Sequence, residues 1–277
     1  MSGTELLSRD CPAKINLFLE VLSRRADGFH EIDTILRTIG LFDTLFARKG
    51  PPGIRLRVEG ADLPTDGGNL VHRAAAALLD VLGPGPVPER GVDLTLVKRI
   101  PVQAGLGGGS SDAAGTLLLL RDLFAPAAAD VDLPGLAARL GSDVPFFLTG
   151  GTARATGRGE VIETLDPAPE SWLVLFRPDF GLSTPDVYGR VEIPAAPREP
   201  GDEPFNRLEA AAAALDPRVG EFKERVAAHC AGGESPVLSG SGSVFFVLVD
   251  GVDRAGTLAA AFNRAGAGRA TAVRTPA

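Results

Sequence analysis

Residues 101–114 read Pro101-Val102-Gln103-Ala104-Gly105-Leu106-Gly107-Gly108-Gly109-Ser110-Ser111-Asp112-Ala113-Ala114. An alternating apolar pattern, typical of a strand, leads into this segment, and an apolar run typical of a helix leaves it. Glycine lets backbone N–H groups approach a ligand because no Cβ stands in the way. The start of the following helix adds unpaired N–H donors and the positive end of the helix dipole. The segment therefore predicts a site for an anion, and phosphate is the anion that such sites favour.

The segment matches none of the common phosphate-binding motifs. A Walker A loop ends in Gly-Lys-Ser/Thr, whereas Gly109 is followed directly by Ser110. The dinucleotide fingerprint fits Gly105 and Gly107, but Ser110 stands in place of its last glycine. On its own, this stretch fits a phosphate loop of another type or a glycine-rich turn whose serines cap a helix.

Two further motifs accompany the segment along the chain. They are Pro12-Ala13-Lys14-Ile15-Asn16-Leu17 near the N-terminus and Ser239-Gly240-Ser241-Gly242-Ser243 near the C-terminus. In this order, the three motifs resemble those of the GHMP kinases. Two more stretches resemble, more narrowly, the family of 4-diphosphocytidyl-2-C-methyl-D-erythritol kinases: Arg25-Ala26-Asp27-Gly28-Phe29-His30-Glu31 and Gly141-Ser142-Asp143-Val144-Pro145-Phe146-Phe147. The resemblance begins near Cys11 and covers most of the chain.

This resemblance implies an ATP-dependent kinase that phosphorylates the 2-hydroxyl of 4-diphosphocytidyl-2-C-methyl-D-erythritol in the non-mevalonate route to isoprenoids. It also implies ATP as co-substrate, Mg²⁺ supplied with the ATP, and a small-molecule partner with a cytidine diphosphate moiety. The order of predicted strands and helices fits an α+β fold. The resemblance implies the GHMP kinase fold, with an N-terminal domain like domain 2 of ribosomal protein S5 and a C-terminal ferredoxin-like domain. We expect these domains to span residues 1–168 and 169–277.

Two residues of the matching motifs are expected to carry the chemistry. In the family, the aspartate that corresponds to Asp143 accepts the proton of the substrate hydroxyl, and Lys14 corresponds to a lysine near the reacting groups. Phosphoryl transfer needs mainly such positioning and charge compensation. The sequence alone, without the resemblance, favours a solvent-exposed position for Lys14 on a strand with one buried face. It favours a turn or a helix cap for Asp143. Asp112 is a weaker candidate for the base because it suits the electrostatics of a helix start.

The other expected contacts follow from the same motifs. The resemblance implies that ATP is bound by Asn69, Pro101, Val102, Gln103, Ala104, Gly105, Leu106, Gly107, Gly108, Gly109, Ser110 and Ser111. Among these residues, Ser111 is a candidate Mg²⁺ ligand. It implies that the substrate is bound by Asn16, Phe29, His30, Thr184, Pro185, Tyr188, Gly240, Ser241 and Gly242. Phe29 and Tyr188 would stack on cytosine, while His30 would bind its polar edge. Two residues depart from the family pattern. The family usually has tyrosine at the position of Phe29, and it more often has aspartate at the position of Arg207.

Composition limits the classes of function. The 277 residues carry a formal net charge of −7, which argues against a nucleic-acid partner. Cys11 and Cys230 give no disulfide framework and no zinc spacing, and we assign His72 and His229 to structural roles. We see no signal peptide and no membrane span, so we expect a cytoplasmic protein without a membrane partner. We expect a monomer or a weak homodimer.

Three alternatives stay open at this point. Homoserine or mevalonate kinase is disfavoured by Phe29, His30 and Tyr188, because those substrates offer no base to stack. A non-catalytic nucleotide-binding member of the fold is disfavoured by the presence of both Lys14 and Asp143. A dinucleotide-dependent oxidoreductase is disfavoured by the missing last glycine of the fingerprint.

Overall fold

The computed structural model describes residues 6–83, 91–125, 128, 130–201, 203–231 and 233–276. Within these ranges the elements are β1 (Leu7–Arg24), β2 (His30–Gly50), β3 (Gly53–Glu59), α1 (Leu70–Val81), β4 (Gly91–Val97), α2 (Gly108–Leu123), α3 (Leu133–Leu140), a 3₁₀ helix (Pro145–Leu148), β5 (Thr152–Thr156), β6 (Val161–Thr164), β7 (Ser171–Arg177), α4 (Thr184–Gly189), β8 (Phe205–Asn206), α5 (Leu208–Leu215), α6 (Arg218–Ala227), β9 (Val237–Leu238), β10 (Phe245–Val249), α7 (Gly251–Arg264) and β11 (Arg269–Thr275). This mixture confirms the expected α+β class. The first five residues, which bear on the signal-peptide expectation, lie outside these ranges. No helix of the described chain is both long and apolar enough to span a bilayer.

The described residues group into two compact units that are interleaved along the chain. Of the described residues, the first unit contains 6–13, 41–83, 91–100, 108–125, 128 and 130–149, and the second contains 14–40, 101–107, 150–201, 203–231 and 233–276. Strands β1 and β2 therefore contribute residues to both units. The predicted division into consecutive domains, 1–168 and 169–277, stays a prediction.

The first unit combines a sheet with three helices. The end of β2 pairs with β4 in antiparallel fashion, and β3 pairs with β4 in parallel. Helices α1, α2 and α3 pack against one another. Helix α2 is buried on almost every side, as expected for its apolar sequence. Gly115 lets this helix approach β1, because a Cβ at this position would collide with the sulfur of Cys11.

The second unit contains the expected ferredoxin-like domain. Its antiparallel sheet has the strand order β11-β7-β10-β9. Along the chain, one helical region lies between β7 and β9 and helix α7 lies between β10 and β11, which gives the βαββαβ order of ferredoxin-like folds. Phe176, Phe222 and Phe262 pack edge to face in its core, with ring centroids 4.8–5.9 Å apart. The same unit holds β8, which pairs with β1, and β5, which pairs with β2 and β6.

Strand β1 differs from the expected strand with one buried face. Lys14 and Asn16 are each only 3% exposed, Glu20 is fully buried, and the apolar neighbour Ile15 is fully buried as well. Both faces of this stretch are thus covered by protein. Buried polar groups need internal partners, and those partners define the candidate site.

Candidate active site

The second unit holds Lys14 in a fixed hydrogen-bond chain. Its Nζ donates to Oδ1 of Asn16 at 2.6 Å, and Nδ2 of Asn16 donates to Oγ1 of Thr34 at 2.9 Å. The Thr34 hydroxyl in turn donates to the carbonyl of Phe18 at 2.5 Å. The backbone N–H of Lys14 donates to the carbonyl of Leu106 in the glycine-rich segment at 2.9 Å. The amino group of Lys14 is therefore oriented by its own strand, and the backbone of Lys14 lies beside the predicted phosphate loop.

The glycine-rich segment and the Ser-Gly motif (residues 239–243) meet beside this lysine. Oγ of Ser239 donates to the carbonyl of Gly105 at 3.0 Å. Gly105 has φ +73°, and a Cβ there would collide with the Ser239 carbonyl. Gly240 has φ +54°, and a Cβ there would lie 3.1 Å from Nζ of Lys14. Nδ2 of Asn206 donates to the carbonyl of Gly240 at 2.7 Å. Both glycines are needed for this close approach of backbones.

The third motif also contacts the start of α4. The hydroxyls of Thr184 and Ser241 share a hydrogen bond of 2.7 Å. Gly242, with φ +88°, packs against Leu182, which precedes the helix. Pro185 lies in the first turn of α4, and Tyr188 lies near its end. The structure thus brings the predicted substrate residues of α4 next to the Ser-Gly motif.

His30 and Tyr188 form an aromatic pair. Their ring centroids lie 5.3 Å apart, with the rings tilted by 35°. Burial, together with the charge of Arg24, lowers the pKa of His30, and its buried Nε2 has no hydrogen-bond partner among the described residues. Such an orphaned nitrogen is suited to a ligand. Phe29 is 49% exposed, and the guanidinium of Arg158 lies 4.7 Å from its ring centroid.

Arg158 was not expected at this site. It lies between two glycines with positive φ, Gly157 and Gly159, in the turn between β5 and β6. In the sequence, an arginine flanked by glycines indicates only a turn, and the stacking of Arg158 on Phe29 joins residues that are far apart along the chain. Cation–π contacts of this kind hold an aromatic ring in place.

In the first unit, four of the predicted ATP residues, Gly108, Gly109, Ser110 and Ser111, form the start of α2. This helix begins at Gly108, so Gly108 and Gly109 already belong to its first turn. Ser111 is 1% exposed, and its hydroxyl has no hydrogen-bond partner in the described chain. Asn69 caps α1: its Oδ1 accepts from the N–H of Val71 at 2.9 Å. The capping role of Asn69 is structural, and its predicted contact with ATP stays a prediction.

Next to the start of α2 lies a buried charge triad, which we define as Asp43, Lys98 and Asp112. Nζ of Lys98 donates to Oδ2 of Asp112 at 2.8 Å and also to Oδ2 of Asp43. Burial and the charge of Asp43 raise the pKa of Asp112 to about 7, against the opposing effect of Lys98. Burial acts to lower the pKa of Lys98, but the two carboxylates outweigh it and the pKa is raised. Both shifts follow from one cation held between two buried acids. Asp112 therefore has an internal partner, which suits a structural role better than that of a base.

Asp143 lies in the turn between α3 and the 3₁₀ helix and is half-buried. The turn is closed by a hydrogen bond from the N–H of Val144 to the carbonyl of Gly141 at 3.2 Å. The next residues, Phe146 and Phe147, are buried and pack edge to face at 5.0 Å. The apolar run therefore anchors the turn that carries the aspartate.

A second ion pair that the sequence did not reveal explains Arg207. Its Nε and Nη2 each donate to an oxygen of Glu20 at 2.7 Å. The backbone N–H of Arg198 donates to the same carboxylate at 2.9 Å. Burial acts to raise the pKa of Glu20, but the hydrogen bonds from Arg207 and the backbone outweigh it and the pKa is lowered. The departure from the family pattern is thus accompanied by a buried partner of opposite charge.

Known proteins resemble this chain over most of its length. The family model for the GHMP kinases N terminal domain matches residues 69–151, which include α1, the glycine-rich segment and the Asp143 turn. A 4-diphosphocytidyl-2-C-methyl-D-erythritol kinase of Pelotomaculum thermopropionicum is 40% identical over 270 residues, which cover 91% of this chain and 92% of the relative.

Solved structures agree with these similarities. The crystal structure of a 4-(cytidine 5'-diphospho)-2C-methyl-D-erythritol kinase is 39% identical, with a TM-score of 0.81, and the match covers 98% of this chain and 100% of the other. A homoserine kinase of Cytophaga hutchinsonii has a TM-score of 0.72 at 17% identity, over 100% of this chain and 96% of that one. The second likeness shows the fold alone.

Proposed function

Since the chain belongs to the 4-diphosphocytidyl-2-C-methyl-D-erythritol kinase family of the GHMP kinases, we propose that it phosphorylates the 2-hydroxyl of 4-diphosphocytidyl-2-C-methyl-D-erythritol. As a kinase of this family it uses ATP as co-substrate. The observation that carries the proposal is the burial of Lys14 beside Asn16 and Gly240, in a strand whose sequence alone suggested a solvent-facing lysine.

Lys14 would offset the charge that moves between ATP and the substrate hydroxyl. Its ammonium is fixed by Asn16 and shielded from water, so it needs little reorganisation during the reaction. Preorganised charges in a site without water are worth more than the same charges in solution. Asp143 would accept the proton of the 2-hydroxyl, as the resemblance implies, because a half-buried carboxylate can orient the attacking oxygen.

The start of α2 fits a bound Mg²⁺–ATP. The buried Ser111 hydroxyl lacks a protein hydrogen-bond partner in the described chain, so it can donate to a phosphate or coordinate a metal ion. Among the described residues, no group of three His, Cys, Asp or Glu side chains could hold a metal ion. As the resemblance implies, Ser111 would hold Mg²⁺ together with the phosphates of ATP, and phosphate oxygens are common ligands of this ion. The bound Mg²⁺ would supply charge neutralisation on the phosphates.

The substrate end of the proposal rests on the aromatic residues of the second unit. Base stacking contributes about 1–3 kcal/mol per base, and the exposed ring of Phe29 and the ring of Tyr188 could supply it. The unpartnered Nε2 of His30 would read the polar edge of cytosine. The cytoplasmic location, the monomer or weak homodimer, and the lack of nucleic-acid and membrane partners stay predictions.

A coupled assay of ADP release tests the proposal. The cytidyl substrate, its uridyl analogue, homoserine and mevalonate would be offered with Mg²⁺–ATP, and phosphorus NMR would locate the new phosphate. We expect turnover with the cytidyl substrate and a phosphate on its 2-hydroxyl. Tyr188→Ala should weaken the binding of this substrate by the free energy of stacking and leave ATP binding unchanged. Turnover with homoserine or mevalonate instead would reject the assigned substrate.

A further inference from the structure

We propose that the charge triad of Asp43, Lys98 and Asp112 positions the ATP-binding loop by holding the two chain segments that flank it. In this role the three side chains do not touch the reacting atoms. They fix the place from which the loop and the first turn of α2 present their N–H groups and hydroxyls. The inference rests on the proposed function of the loop as the ATP site.

The first link of the triad joins the two segments directly. Lys98 immediately follows β4 and precedes the loop, whereas Asp112 lies in α2 just after it. The 2.8 Å contact between them joins positions 14 residues apart and closes the base of the loop. A loop closed at its base loses much of its conformational freedom.

The second link fixes the backbone before the loop. Oδ1 of Asp43 accepts hydrogen bonds from the N–H groups of Arg99 at 2.5 Å and Ile100 at 2.8 Å. Its other oxygen accepts the hydrogen bond from Lys98. One carboxylate thus binds three donors on the last residues before the loop.

The two flanking segments also touch at Gly108. A Cβ on this first residue of α2 would lie 2.9 Å from Cγ2 of Ile100 and 3.3 Å from Nζ of Lys98. The side before the loop therefore packs against the side after it without room for a side chain. Ser111 directly precedes Asp112 in α2, so the triad would also fix the position of its hydroxyl.

The energetics favour a positioning role over simple stabilisation. The exposed fractions of Asp43, Lys98 and Asp112 are 0%, 8% and 2%. Buried ion clusters are weak sources of stability, because apolar residues of similar size often serve as well. Ionic hydrogen bonds do impose direction and distance, which an apolar cluster does not. The segment that would benefit from fixed directions is the loop, which lies along the chain between Lys98 and Asp112.

The decisive variant is Asp112→Asn, which keeps the size and removes one charge of the triad. Its matched control is Asp122→Asn in the same helix, because Asp122 forms exposed ion pairs with Arg9 and Arg121. For Asp112→Asn we expect the KM for ATP to rise about tenfold and kcat to fall about tenfold, since small displacements of positioned groups cost this much or more. The KM for the cytidyl substrate should stay within about twofold, and Asp122→Asn should match the wild type.

Hydrogen–deuterium exchange gives a readout that does not depend on turnover. In Asp112→Asn, the amides of residues 105–111 should exchange faster and gain less protection from ATP, whereas those of the ferredoxin-like sheet should not change. If Asp112→Asn fails to fold, Lys98→Arg serves instead, because it keeps the charge and changes the reach.

Two results would overturn the positioning role. One is a finding that, in Asp112→Asn, the amides of residues 105–111 exchange at the wild-type rate and the KM for ATP equals that of the wild type. The other is a loss of activity that merely follows the loss of folded protein. A wild-type protein that binds ATP but leaves the cytidyl substrate unchanged would reject the proposed function, while the exchange comparison would still decide on the triad.

Discussion

Replacing Arg207 by alanine should cost more stability than a surface arginine usually does. The change leaves the fully buried carboxylate of Glu20 with two backbone donors, the N–H groups of Val21 and Arg198, each at 2.9 Å. Breaking a buried ion pair costs about 3–5 kcal/mol. Because Arg207 is 27% exposed and two donors remain, we expect about 2–3 kcal/mol, at or just below the lower end of that range.

Thermal and urea unfolding measure this loss. A decrease of about 2–3 kcal/mol corresponds to a Tm lower by roughly 4–12 °C for a chain of this size. The double variant Glu20→Gln/Arg207→Ala should recover part of it, because no buried charge is left alone. Arg218→Ala, which removes an exposed ion pair with Asp216, is the control and should cost less than about 1 kcal/mol.

The pH dependence has a definite sign. Because the pKa of Glu20 is lowered below its ordinary value of 4.5 in the folded protein, its stabilising effect is present above that value. The effect is lost as the pH falls through the lowered pKa, so the difference between wild type and Arg207→Ala should shrink in acid. A loss within about 0.5 kcal/mol at neutral pH, or strictly additive single variants, would refute the coupling of Glu20 with Arg207.

Four further predictions concern the reaction. Asp143→Asn should lower turnover about 10²–10⁴-fold with little change in substrate affinity; near-normal turnover would remove Asp143 as the base. Lys14→Met should lower turnover more than ATP affinity, as measured by kinetics and nucleotide titration, and equal losses would indicate mere ATP anchoring. Gly108→Val should reduce ATP affinity, because its side chain would press on Ile100 and Lys98 and shift the first turn of α2; nucleotide titration measures this loss, and circular dichroism distinguishes it from a loss of the fold. Burial and the charge of Arg24 lower the pKa of His30, so its side chain should bind cytidine in the neutral form. The KM for the cytidyl substrate should therefore rise only below about pH 6.5. The variant His30→Asn should abolish this rise.

The elements of the fold could be predicted where local signals suffice. Periodic apolar residues and the capping side chain of Asn69 indicate α1, and the glycine-rich segment indicates the start of α2. The burial of both faces of β1 could not be predicted, because a polar residue alternating with apolar ones looks the same on a solvated face. The partners of Asn16 and Glu20 lie 18 and 187 residues away, at Thr34 and Arg207.

The site was predicted in the same uneven way. Motif residues such as Lys14 and Gly240 were identified by resemblance, and within the second unit the structure brings them together. The supporting residues Asp43, Lys98 and Arg158 had no motif of their own. Their roles depend on contacts across the fold, which no local pattern contains.

The two departures from the family pattern show what a resemblance transfers. Phe29 keeps the aromatic face that stacking needs and loses only a hydroxyl, and Arg158 packs against its ring. Position 207 more often holds aspartate in the family, whereas this chain has arginine. An aspartate at this position of this chain would leave a buried carboxylate nearby without a counter-charge. Glu20 is that carboxylate, so the arginine is required by its surroundings. A residue that departs from a family can therefore be read only together with its partner, and here both departures leave the proposed chemistry of Lys14 and Asp143 untouched.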